Sequence, residues 1–201
     1  TPNANRVHIT FFGRTNSGKS SLINALVGQD IAIVSDFAGT TTVPVYKPVE
    51  LHPIGPAVFI DTAGFDDTTE LGRMRVLKTE ETLDKTNLAV LVITTGQKDF
   101  EKEYAWIESF KKRNLTFIVA VNKSDENGDM PDFVSELDFV PVSAKTGENV
   151  DKLRELIVRR VPADIESVSI AGHLVQKDDH VLLVAPQDLQ APKGRLILPQ
   201  V

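Results

Sequence analysis

Eight consecutive residues, Gly13-Arg14-Thr15-Asn16-Ser17-Gly18-Lys19-Ser20, constrain this chain more than any others. They follow an apolar run at 7–12 and precede a helical pattern that begins with Ser21, Leu22 and Ile23. Strand, glycine-rich loop and helix, in that order, form the context in which Gly-x4-Gly-Lys-Ser means a phosphate-binding loop. Glycines let the backbone turn so that successive N–H groups aim at one anion, and the helix start adds its positive dipole end. Gly13 to Ser20, with Ser21 behind them, are therefore the candidate phosphate cradle. Lys19 would reach the β- and γ-phosphates, and Ser20 would offer its hydroxyl to Mg2+. The plainer alternative is a strand-to-helix turn that happens to hold two glycines; the complete motif and both flanks weigh against it.

The rest of the composition narrows the setting. With 201 residues the chain fits one ordinary domain and an appendage. A 41% hydrophobic and 25% charged composition is that of a soluble globular protein, and the net charge of −6 argues against a broad nucleic-acid-binding face. No apolar run reaches the length of a membrane span, and the first six residues lack the core of a signal peptide. With no cysteine there is neither a disulfide nor a thiolate metal site. A cytoplasmic setting is expected.

Strand-like and helix-like segments alternate as far as Val161, which predicts an α/β fold: a mostly parallel six-stranded sheet with helices on both faces. Strands are expected at 7–12, 43–50, 57–61, 88–93, 116–121 and 139–142. The second and third pair around the turn His52-Pro53-Ile54-Gly55-Pro56. Helices are expected at 19–27, 73–84 and 130–136, with a less regular piece at 28–42. Phe100, Tyr104, Ile107 and Phe110 recur at helical spacing and should face the core. Asn149 can cap a final helix whose inner face carries Val150, Leu153, Leu156 and Ile157. Pro162 marks a boundary, giving a nucleotide-binding domain at 1–161 and an extension at 162–201. Short strands at 181–184 and 196–198 are too little for a stable domain alone. The extension opens a second domain or forms a strand-rich arm that docks elsewhere.

Three further motifs extend the nucleotide reading. Asp61-Thr62-Ala63-Gly64 ends the third strand, where Asp61 can hold the Mg2+ shell and the Gly64 amide can approach a γ-phosphate. Asn122-Lys123-Ser124-Asp125 ends another strand, at the sheet edge where a base could sit. The Asp125 carboxylate can accept both the N1–H and the 2-amino protons of guanine; adenine offers neither, and such a site rejects the analogue by about 10^4-fold or more. Lys123 would lie along the base, and the backbone of Ser143-Ala144-Lys145 could meet the guanine O6. Together these motifs identify a GTP-binding, GTP-hydrolysing protein of the Ras-like P-loop class.

The tighter resemblance is to the TrmE–Era branch of bacterial GTPases. Residues 32–41, ending Gly39-Thr40-Thr41, resemble that branch's first switch loop. The match implies that Thr41 binds Mg2+ and senses the γ-phosphate. It also implies a K+ ion on Asn16 and the carbonyls of Ser35 and Phe37, neutralising charge between the β- and γ-phosphates. Within the branch the chain resembles the HydF family of FeFe-hydrogenase maturation GTPases from about Arg6 to Val201. The tail Ala191-Pro192-Lys193-Gly194-Arg195-Leu196-Ile197-Leu198-Pro199-Gln200 is the most distinguishing part. In that family the tail opens a dimerisation domain, and a third domain carries an iron–sulfur cluster and the di-iron precursor. Neither is complete here, so the resemblance implies a truncated chain whose cluster ligands lie beyond it. By the same resemblance the partners are GTP, a second copy of the chain, radical-SAM maturases and apo-hydrogenase.

Phe65 stands where Ras-type enzymes place a water-orienting glutamine, and a phenyl ring can neither orient nor deprotonate water. Intrinsic turnover should be slow. TrmE-like members use a glutamate further along, for which Glu70 is the nearest candidate, with Asp66 and Asp67 behind it. All three could equally be solvated acids. His8, His52, His173 and His180 lack metal-ligand spacing and read as structural; Trp106 reads as a packing or partner contact, and Lys111-Lys112-Arg113 as a solvated helix end. An Era- or TrmE-like role on ribosomal or transfer RNA is the alternative function, and a binding module with negligible turnover a third. Residues 162–201 carry three basic against five acidic side chains and no GXXG loop or aromatic platform, so RNA is disfavoured.

Overall fold

The computed structural model describes residues 6–28, 44–64 and 82–162. All of them belong to one compact unit, Arg6–Ala163. Six strands form a single sheet: β1 (Val7–Gly13), β2 (Val45–Leu51), β3 (Gly55–Asp61), β4 (Leu88–Thr94), β5 (Phe117–Asn122) and β6 (Phe139–Pro141). Their spatial order is β2-β3-β1-β4-β5-β6, with only the β2–β3 pair antiparallel. Val49 faces Ala57 across that hairpin and Tyr46 faces Ile60. Pro48, which cannot donate to a ladder, sits in β2 at the sheet edge, where a strand has one side without a neighbour.

The interior strands β4 and β5 are nearly unbroken apolar runs because helices cover both faces of a parallel sheet. All of β4 from Leu88 to Ile93 is buried, as is β5 from Ile118 to Asn122. Helix α1 (Lys19–Gly28) and helix α3 (Val150–Arg160) pack against each other and reach β1, β3 and β5. Successive strand side chains alternate between faces. Phe11 therefore stacks edge-on to Phe59, at 5.5 Å, while Phe12 meets Trp106 and Phe110 of helix α2 (Glu101–Lys112) at 5.1 and 5.3 Å. That second face also buries Leu91, Val119, Val121 and Ile107.

Several expectations shift on the structure. Tyr104 is 50% exposed, so it leaves the core stripe, although its ring still lies 5.0 Å from Phe133. The short helix expected at 130–136 is a 3-10 turn, Asp132–Glu136, entered from extended Pro131. Asn149 stands at the start of α3 with φ 55°, but its side chain makes no cap; its Nδ2 donates to the Pro141 carbonyl at 3.0 Å. Trp106 is partly buried and packs against Phe12 and Phe110 at the edge of the core. His8 lies within β1, its pKa lowered chiefly by burial and then by the Lys85 charge. Arg113 pairs with Asp84 at 2.6 Å on the surface. The helix expected at 73–84, apart from its 82–84 end, the less regular piece expected at 28–42, apart from Gly28, and the strands expected beyond Pro162 lie outside the described residues.

Candidate nucleotide-binding site

The chain leaves β3, crosses to the other side of β1 and continues in β4, so the strand order reverses beside β1. Open α/β sheets place their ligand crevice beyond the strand carboxyl ends at such a reversal. Here a cleft of about 550 Å³ opens, lined by Asn16, Gly18, Lys19, Ser20, Ser21 and, across from them, Asn122, Lys123, Asp125, Ala144 and Lys145. One wall is the loop after β1; the other comes from the ends of β5 and β6. Motifs more than 100 residues apart in sequence thus face one space.

The loop after β1 is folded around its own carbonyls. The Arg14 carbonyl accepts from the Ser17 N–H at 3.2 Å and from Lys19 Nζ at 2.8 Å, while Lys19 Nζ also donates to the Gly13 carbonyl at 3.0 Å. Lys19 is only 7% exposed, and its ammonium is held at the rim of the loop instead of roaming in solvent. Gly18 has φ +89°, and a Cβ there would run into the Asn122 amide. Gly64 has the same kind of constraint: a Cβ would stand 2.7 Å from Thr15 Cα. The end of β3 therefore lies directly on the loop after β1, an approach that only glycine permits.

Ser20 Oγ donates to Asp61 Oδ2 at 2.5 Å. The other oxygen, Asp61 Oδ1, is buried and has no hydrogen-bond partner among the described residues. Burial pushes the Asp61 carboxyl up, partly offset by the Ser20 hydroxyl and by the Lys19 and Lys47 charges. A buried carboxylate with an unsatisfied oxygen is costly by itself. A divalent cation held by the hard oxygen ligands of Ser20 and Asp61 would satisfy it. The donor set fits Mg2+. Thr41, the third expected ligand, and Ser35, Phe37, Phe65 and Glu70 lie outside the described residues.

The opposite wall is preorganised by hydrogen bonds among its own motifs. Asn122 is 2% exposed; its Nδ2 donates to the Ser17 carbonyl at 2.9 Å and its Oδ1 accepts from the Ala144 N–H at 3.0 Å. Its amide is thus a brace that joins three loops, and the sequence alone does not separate that role from direct base contact. Ser143 Oγ donates to Asp125 Oδ1 at 2.6 Å, which holds the Asp125 carboxyl below the usual carboxylate range, with smaller help from Lys145 and Lys123. Asp125 Oδ2 lies 4.0 Å from Lys145 Nζ. Lys123 adopts φ 64°, and its carbonyl accepts from Thr95 Oγ1 at 2.9 Å.

Arg14 departs from expectation. Its backbone belongs to the loop, but its side chain turns toward α2, donating to both oxygens of Glu103 at 2.7 and 2.9 Å and to the Asp99 carbonyl and carboxylate. Thr95, Asp99 and Glu103 are the neighbours that sequence reasoning missed. Glu103 carried a readable signal: an acid three residues after Phe100 and four before Ile107 falls on the apolar stripe of α2. Among the described residues no cluster of His, Asp or Glu forms a separate metal site.

Comparison with known proteins agrees with this geometry. Residues 8–123 match the family described as 50S ribosome-binding GTPase, and residues 170–201 match the hydrogen maturase F dimerization domain. GTPase Der of Nautilia profundicola is 34% identical over 194 residues, covering 84% of this chain and 42% of the relative. The tRNA modification GTPase MnmE of Heliobacterium modesticaldum is 36% identical over 159 residues, covering 76% and 34%. The chain therefore spans well under half the length of these relatives. An Era variant of Aquifex aeolicus bound to GDP.AlF4- superimposes with a TM-score of 0.61 at 28% identity, covering 77% of this chain and 56% of that one. The G domain of the T. maritima FeoB iron transporter shares the fold at 23% identity, with a TM-score of 0.56 and coverage of 78% and 99%. With its α/β sheet, Gly-x4-Gly-Lys-Ser loop and matching family model, the chain belongs to the 50S ribosome-binding GTPase family of P-loop GTPases, in its TrmE–Era branch, and ends in a segment of the hydrogen maturase F dimerization type.

Proposed function

We propose that this chain is the GTP-hydrolysing switch domain of a scaffold for maturation of the hydrogenase metallocofactor. The observation that carries the reading is the pairing of a GTPase domain with a hydrogen maturase F dimerization segment at 170–201. Residues 162–201 would open that dimerisation domain, and a second copy of the chain would be its partner. Radical-SAM maturases and apo-hydrogenase would then read the nucleotide state. An iron–sulfur cluster has no thiolate ligand in these 201 residues, so its protein ligands would belong to another part of the full-length protein.

On this reading each residue of the site has its own task. Main-chain amides of residues 13–20 bind the triphosphate, and Lys19, already fixed by two carbonyls, places its charge at the β–γ bridge. Ser20, Asp61 and Thr41 would hold Mg2+, which when bound neutralises charge on the β- and γ-phosphate oxygens. The Gly64 backbone, seated against Thr15, presents its N–H to the γ-phosphate. Asp125, aimed by Ser143, selects guanine through N1–H and the 2-amino group, with Lys123 along the base and Ala144 and Lys145 beside O6. Asn16 lines the cleft in a left-handed turn and, with Ser35 and Phe37, would hold K+. Glu70 is the candidate for orienting water. The reading places the protein in the cytoplasm. No helix among the described residues is long and apolar enough to cross a membrane.

A second reading, action on transfer or ribosomal RNA, draws on the name of MnmE and on an Era structure with 16S ribosomal RNA at 26% identity. Affinity purification of the full-length protein separates the two. Iron–sulfur maturases in the eluate support the first reading; ribosomal or transfer RNA with no maturase supports the second.

A further inference from the structure

The carbonyl of Arg14 carries a load that its position explains. It receives Lys19 Nζ at 2.8 Å and the Ser17 N–H at 3.2 Å, so the direction of that carbonyl sets where the lysine ammonium stands. Within the loop these two bonds hold only the Arg14 carbonyl among the described contacts, and its side chain leaves the loop. That side chain is held from outside, through a two-pronged pair with Glu103: Nε to Oε1 at 2.7 Å and Nη2 to Oε2 at 2.9 Å. Glu103 is wholly buried in α2, and Arg14 is mostly buried beside it. A planar fork on a carboxylate fixes orientation as well as distance.

Asp99 completes the anchor. Its carbonyl and carboxylate accept from Arg14 Nη2 at 2.8 and 3.0 Å, and its Oδ1 accepts from the Glu101 N–H at the start of α2. The segment leading there from β4 also touches the base-side wall: Thr95 donates from its N–H to the Asn122 carbonyl at 3.1 Å and from its hydroxyl to the Lys123 carbonyl. One stretch, 95–103, thus holds both walls of the cleft.

We propose that Arg14 and Glu103 are a positioning pair for GTP hydrolysis, through which α2 fixes the Arg14 carbonyl and with it the Lys19 ammonium. Neither residue lines the cleft. Their work is to hold the lysine where charge develops between the β- and γ-phosphates, and a small misplacement there lowers turnover more than binding. Because two residues act as one unit, removing either should remove the whole effect.

This rests on the chain being a GTPase, and the wild-type protein checks that separately by hydrolysing GTP with Mg2+. Steady-state kinetics of the 201-residue chain then compare Arg14→Gln, Glu103→Gln and the double variant. The pair predicts kcat about tenfold lower in each single variant, KM within about twofold of wild type, and no further loss in the double variant. Arg14→Lys, which keeps one charged hydrogen bond, should recover part of the loss. Arg14→Gln alone leaves an uncompensated buried acid and can fail to fold; the double variant, free of that charge, then carries the test. Wild-type kcat in either single variant or in the double variant, losses that multiply, or a loss confined to KM would overturn the assignment.

Discussion

Asp61 and Asp125 are two carboxylates whose surroundings push them in opposite directions. Asp125 accepts from Ser143, which holds its carboxyl below the ordinary carboxylate range. Asp125→Asn should weaken GTP binding at least about tenfold and let xanthosine triphosphate compete, because the amide presents a donor where guanine also donates. Competition measurements with the two nucleotides check this. Asp61 is held high, chiefly by burial. A raised carboxylate favours the protonated folded form, so its charge costs the nucleotide-free protein stability as pH rises above the ordinary carboxylate range. Asp61→Asn should therefore raise the melting temperature of the nucleotide-free, metal-free protein at pH 7, with the gain shrinking toward pH 4. The same variant should lose Mg2+-dependent hydrolysis. Thermal melts at the two pH values test the sign directly.

Element by element, legibility followed apolar spacing. β4 and β5 were readable because strands buried on both faces show unbroken apolar runs, and α3 because Val150, Leu153, Leu156 and Ile157 recur on one face. The same signal overreached at Tyr104, which has the right spacing but whose ring lies at the surface beside Phe133. Phe110→Ala should cost about 3–5 kcal/mol, since that ring is fully buried against Phe12, Trp106 and Phe117. Tyr104→Ala should cost far less, and urea titrations of the two variants side by side will separate them. Asn149 shows why end chemistry is harder to read than element type. Asn is a good cap by composition, yet Asn149 sits in a left-handed turn instead of the extended backbone of a cap, and its Nδ2 donates to the Pro141 carbonyl. The Arg14–Glu103 pair was illegible for a similar reason: its partners lie 89 residues apart, and only the packing of α2 on β1 brings them together.

For the whole molecule, the phosphate and base motifs could be placed from sequence because the order of motifs along a doubly wound sheet fixes which strand ends meet. What bridges them could not: Asn122, joining Ser17 to Ala144, and Thr95, joining β4 to the base loop, are tertiary facts. The proposed K+ site makes one prediction at this scale. GTP turnover should be several-fold faster in KCl than in NaCl at equal ionic strength, and Asn16→Ala should abolish the difference.

The most direct measurement on the whole account is nucleotide uptake and turnover by Lys19→Ala. Its ammonium donates to the carbonyls of both Gly13 and Arg14, at the mouth of the loop. The account predicts that the purified variant, still folded by circular dichroism, binds GTP far more weakly and hydrolyses none above background. GTP binding and hydrolysis at wild-type levels in that variant would contradict it.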